Sequence, residues 1–169
     1  MKKIVSLLLA FVFCAGLCAC SADAPDGMQL ASSDKAAYLL YVPTTWTLGA
    51  SNEYASAYYS SDDPSNVSVI FFSPEEEKDL DDYWSDFEAE YKETFPTMNV
   101  EETSNTLLGE RAAKKCVFTA TVSGGEYKFT QYMAKYGGMV YILTYTAPAD
   151  KYELHLQEVE KIADNFKFR

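Results

Sequence analysis

The sequence predicts an α+β domain: a three-layer α/β/α sandwich with a largely antiparallel central sheet of about six or seven strands and two main helices. Three observations carry that expectation. Two segments, starting near residues 79 and 149, repeat apolar residues at steps of three and four, the helical period. The strand-like runs of the C-terminal half are joined by glycine pairs, Gly124-Gly125 and Gly137-Gly138, which suit tight turns between antiparallel neighbours. Runs such as VIFF (Val69–Phe72) and MVYIL (Met139–Leu143) are apolar on both sides, as in a sheet covered on both faces.

The N-terminus precedes any such pattern. Lys2 and Lys3 are followed by an uncharged apolar run, Ile4 to Phe13, and then by CAGLCAC (Cys14–Cys20). The run is too short for a bilayer span of about 20 residues but fits a signal-peptide core of roughly 7–15. Leu17-Cys18-Ala19-Cys20 resembles the bacterial lipobox. By that resemblance residues 1–19 are a lipoprotein signal peptide, and Cys20 becomes a lipid-bearing N-terminus that anchors an exported chain to a bacterial membrane. A zinc site built from Cys14, Cys18 and Cys20 would need a second ligand group downstream. Only Cys116 and His155 remain there, too few for one.

Processing would leave Cys116 without a disulfide partner, so an exported domain must hold together by burial. With Lys2 and Lys3 removed, the 14 basic residues fall to 12 against 25 acidic ones, and the net charge goes from −11 to −13. Such a surface repels nucleic acid and anionic headgroups. Residues 20–35, SADAPDGMQLASSDK after the cysteine, are small and polar apart from Met28 and Leu30. They read as a flexible tether with a reach of roughly 20 Å, leaving residues 36–169 as the domain.

The domain opens with strand-like runs at Ala36–Val42, Tyr54–Ser60 and Val67–Ser73. Trp46, just past the first, is expected as a core anchor. The first helix follows, with Leu80, Trp84, Phe87, Tyr91 and Phe95 as its stripe, Asp79 as N-cap and Pro96 as stop. Glu75, Glu76 and Glu77 lack the alternating acids, turn glycine and closing glutamate of an EF-hand. They suit a helix N-terminus; no cofactor is predicted, with calcium at these acids as the weaker alternative. Four strands come next: Val100–Leu108, Ala112–Val122, Glu126–Tyr136 and Met139–Ala147. Cys116 shares a face with Phe118, Ala120 and Val122 and reads as a small interior hydrophobe. In the closing helix Tyr152, Leu156, Val159, Ala163 and Phe166 form the stripe, with Pro148 in its first turn.

Taken in order, YLLYVPTTW (Tyr38–Trp46), NVSV (Asn66–Val69), LGERAAK (Leu108–Lys114) and the closing IADNFKF (Ile162–Phe168) resemble the PsbP-like domains of the PsbP/Mog1 group. The resemblance spans nearly all of the chain after the tether. It implies the same three-layer fold. It also implies an accessory role, as in the plant members that serve photosystem II; bacterial relatives include exported lipoproteins.

Histidine-, metal- and phosphate-based catalytic readings fail on residue supply, while a pair of carboxylates among the 25 acidic residues stays open. His155, the only histidine, falls on or beside the buried stripe of the last helix, and no G-x-S-x-G elbow exists. Metal hydrolysis usually uses two or three histidines. The glycine pairs lie in hairpins and open no helix, so they form no phosphate loop. The expected function is a non-catalytic binding or accessory domain for a protein or complex in the same membrane. Its candidate surface is Tyr54, Tyr58 and Tyr59, and no nucleic acid is expected as partner. The alternative is an extracytoplasmic small-molecule or glycan receptor, with a hydrolase behind both.

Overall fold

The computed structural model describes residues 24–33, 35–49 and 54–169. The predicted leader and Cys20 lie outside the described residues. Seven strands make the central sheet: β4 (Thr47–Leu48), β5 (Ser56–Tyr58), β6 (Asn66–Phe72), β7 (Asn99–Leu108), β8 (Arg111–Val122), β9 (Gly125–Tyr136) and β10 (Met139–Pro148). Their spatial order is β4-β5-β6-β10-β9-β8-β7, and every pairing is antiparallel. The β8–β9 and β9–β10 turns place Ser123-Gly124 and Gly137-Gly138 at positive φ, the two-residue geometry that matches the twist of the flanking strands.

Helix α1 (Leu80–Thr94) covers one face and α2 (Tyr152–Asp164) the other. Asp79 caps α1 by accepting from the Asp82 amide at 2.8 Å, and the chain leaves at Phe95, before Pro96. Beneath α1, Trp84 packs on Cys116 and Phe118 while Tyr83 packs on Met133, Val140 and Ile142. The larger core lies under α2, where Leu143, Tyr145, Val159, Ile162 and Phe166 meet Tyr38, Leu40 and Trp46. Val140 and Ile142 therefore face α1, while Tyr141, Leu143 and Tyr145 face α2. That is why β10 reads as apolar on both sides.

Three expectations need correction. The predicted strand Ala36–Val42 does not join the central sheet. It divides into β2 (Tyr38–Leu39), paired with β11 (Lys167–Phe168), and β3 (Tyr41–Pro43), paired with β1 (Met28–Leu30); its place in the sheet goes to the edge strand β4. The second correction follows from β1. Part of the expected tether is ordered, because Pro25-Asp26-Gly27 forms a turn with Gly27 at positive φ, and Gln29 donates to the carbonyls of Pro43 and Trp46. Ser32 is buried as well, donating to the Tyr38 carbonyl and accepting from the Leu40 amide, both at 3.1 Å. The third concerns Pro148, which ends β10 and does not enter the helix; α2 starts at Tyr152 with no side-chain cap.

Candidate functional site

The chemistry-bearing side chains gather where α2 begins. His155 is 5% exposed and sits between two carboxylates. Its Nε2 is 3.0 Å from Asp63 Oδ2, and its Nδ1 is 3.4 Å from Glu158 Oε2. The Glu158 oxygen also accepts from Trp46 Nε1 at 3.0 Å. Asp63 is held in turn by Ser65, whose hydroxyl and amide both donate to Oδ1, at 2.6 and 3.0 Å. Burial would raise the Asp63 carboxyl, but the bonds from Ser65 and His155, with Lys151 3.8 Å away, more than offset it and leave the group below the ordinary aspartate range. Tyr59 closes the cluster, its ring 4.1 Å from that of His155.

This arrangement contains serine, histidine and aspartate but not the order a hydrolase needs. In a catalytic triad the histidine stands between the acid and the nucleophile. Here Asp63 stands between Ser65 and His155, and Ser65 is fully buried. The Nε2 atom of His155 is hydrogen-bonded to Asp63 and its Nδ1 lies 3.4 Å from Glu158, so both imidazole nitrogens face carboxylates of the fold and neither faces a serine. The cluster ties the β5–β6 loop, the Trp46 turn and α2 together.

The other reactive type, Cys116, is 1% exposed, and burial pushes its thiol up to about 12. The Lys114 cation that could activate it is committed to Asp81. Glu75, Glu76 and Glu77 form no metal cluster; among the described residues no group of three or more histidine, cysteine, aspartate or glutamate side chains is placed to hold an ion.

The three candidate tyrosines are exposed by 49% (Tyr54), 40% (Tyr58) and 36% (Tyr59), but they do not make one surface. Tyr54 lies 5.5 Å from Phe71 and Tyr59 packs on His155, both on the α2 face. Tyr58, paired with Asn66, projects from the opposite face beside Ser56 and Pro64. Alternation along a strand accounts for the split of Tyr58 from Tyr59.

A better-formed surface lies at the other end of β6. Phe72, the last residue of that strand, meets Tyr83 and Phe87 of α1 edge to face, with centroids 6.1 and 5.9 Å apart. Together with Pro74 they floor a groove of about 360 Å³. Four carboxylates, Glu75, Glu76, Asp86 and Glu90, stand around it against one ammonium, Lys78, which pairs with Asp86 at 2.6 Å. The Tyr83 hydroxyl fixes the rim by donating to the Glu76 carbonyl and accepting from the Lys78 amide. The groove was not foreseen in the sequence. Its signal was present as PEEE, directly after an apolar strand end and before an aromatic helix.

No protein-family model and no curated protein matches the sequence. Solved structures do match in fold. The cyanobacterial PsbP (CyanoP) of Synechocystis sp. PCC 6803 superposes with a TM-score of 0.62 over 90% of this chain and 99% of its own, at 14% identity. The Ran-binding protein Mog1p of Saccharomyces cerevisiae gives 0.61 over 83% and 95%, at 8% identity. LpqN of Mycobacterium tuberculosis, described as involved in cell envelope biogenesis, gives 0.59 over 83% and 89%, at 16% identity. The chain thus has the PsbP/Mog1-like α+β fold. At these identities the likeness is one of architecture.

Proposed function

We propose that the protein is an exported lipoprotein, anchored through Cys20, whose domain acts by binding and assists a protein or complex in the same membrane. The observation that carries the non-catalytic part is the burial of His155 between Asp63, to which its Nε2 is hydrogen-bonded, and Glu158, with no nucleophile beside it among the described residues. Likeness of fold to a Ran-binding protein and to a protein of cell envelope biogenesis supports a binding role.

The ordered start of the domain sharpens the anchoring. Ala24, the first described residue, is four positions from Cys20, a span of at most about 14 Å of chain. A lipid on Cys20 would hold the Gly27–Trp46 end close to the membrane, and binding partners in that membrane would be met at high effective concentration. The groove at Phe72 sits at the opposite end of β6 from Asn66, whose partner Tyr58 pairs with Thr47 beside Trp46. That seven-residue strand is about 23 Å long, which would set the groove away from the bilayer.

The test is Cys20→Ala in the native host, followed by cross-linking of the wild-type chain in its membrane. The variant is expected to leave the membrane fraction or accumulate unprocessed, and the wild type to capture a membrane partner. Unchanged fractionation and migration of the variant removes the anchor. A hydrolase activity lost on His155→Ala in a folded protein removes the binding reading.

A further inference from the structure

We propose that the groove between the end of β6 and α1 docks a basic segment of a protein partner, one in which apolar side chains alternate with lysine or arginine. The inference deepens the binding role and rests on it only for where the partner is met.

The apolar component is a strip of sheet that α1 leaves uncovered. Val140 and Ile142 of β10 are fully buried beneath the helix, whereas their cross-strand partners Phe72 and Ile70 are half-buried and 46% exposed. Ile70 and Phe72 are two residues apart on one strand and so project from the same face, about 7 Å apart. That spacing equals the repeat of alternate side chains in an extended peptide. An apolar strip of this length beside a helix gains by being covered.

The charges select the occupant. Glu75, Glu76 and Glu90 are exposed and have no ion-pair partner among the described residues. Lysine or arginine residues alternating with the seated apolar side chains leave the peptide on its other side, and their long arms bend over to this acidic rim. A cation there meets several carboxylates at once. Nucleic acid and anionic lipid bring the wrong sign. A polyamine satisfies the rim but leaves Ile70 and Phe72 in water.

The experiment uses the full chain, purified in neutral detergent, titrated at low salt against a fluorescein-labelled octapeptide alternating lysine and leucine and read by anisotropy. Binding that weakens as salt rises is expected. The triple variant Glu75→Gln, Glu76→Gln, Glu90→Gln should lose roughly tenfold in affinity. Ile70→Ser should lose several-fold, and both variants should keep the wild-type unfolding temperature. Equal loss in a control triple elsewhere (Glu110, Glu126 and Glu160 to Gln) overturns the proposal, as does equal binding of a lysine–serine peptide. Displacement by spermidine at matching concentration assigns the rim to small amines and also overturns it. So does a wild-type dissociation constant weaker than about 1 mM. None of these readouts depends on how Cys20→Ala fractionates, so failure of the groove and failure of the anchor are distinguishable.

Discussion

His155 and Asp63, 92 positions apart in sequence, meet at 3.0 Å inside the protein and join the last helix to the loop before β6. A buried pair of this kind is most costly when half of it is removed, because the remaining group is left without a partner. Asp63→Asn and His155→Ala are each expected to destabilise the fold by about 3 kcal/mol. Urea midpoints measure this, and a loss below about 1 kcal/mol in both would show the pair to be ornamental.

The same carboxylate gives the fold an acid limit. Asp63 titrates lower folded than unfolded, so between the two values the unfolded chain binds more protons, and stability rises with pH. Its contribution is whole above the ordinary aspartate value, about 3.9, and is lost as pH falls through the lower folded value. Urea midpoints of wild type and Asp63→Asn should therefore converge as pH is taken from 6 toward 2. Parallel curves would contradict the assignment.

Trp46 is 2% exposed and donates to Glu158. Truncation to alanine is expected to cost about 3–5 kcal/mol through the cavity it leaves. Trp46→Phe keeps most of the volume but loses the bond to Glu158, so it should cost less than half as much in thermal or urea unfolding.

Gly109 sits at φ +57°, and a Cβ there would lie 2.0 Å from the Phe166 carbonyl oxygen. Its amide donates to the Ala163 carbonyl, tying the β7–β8 turn to the end of α2. Gly109→Ala combines left-handed backbone with a backbone clash, and a loss of about 2 kcal/mol or more is expected. Gly138→Ala, where the added carbon meets nothing within 4 Å, shares the backbone term alone and should cost less.

Cys116 is expected to resist iodoacetamide at neutral pH while the protein is folded and to label at once in denaturant, read by peptide mass at that residue. Thiolate is the reacting form, and a thiol near 12 supplies very little of it. Rapid labelling of the folded chain would mean that α1 opens readily over Cys116.

The binding surface was less legible than the fold. Tyr54, Tyr58 and Tyr59 stand out in the sequence as a cluster because they are neighbours in the chain, but the pleat sends Tyr58 to one face and Tyr59 to the other. Phe72 lies 15 positions before Phe87, far enough in sequence for the two to look unrelated. A helix laid across a strand end makes them one groove.

What the sequence by itself determined is whatever depends on residues within about four positions of one another. The stripe of α1, its Asp79 cap, the glycine turns of the β8–β10 meander and the interior position of Cys116 follow from local period and backbone freedom. Only the tertiary structure decided which strands pair where no tight turn joins them. Tyr38–Leu39 and Tyr41–Pro43 have ordinary strand composition, yet β11 and β1 claim them, because alternation specifies a face to bury and not the neighbour that buries it. The Trp46–Glu158 bond, spanning 112 positions, and the Asp63–His155 pair are of the same kind. A polar side chain's partner is fixed by where packing places it after collapse, and no local pattern carries that information.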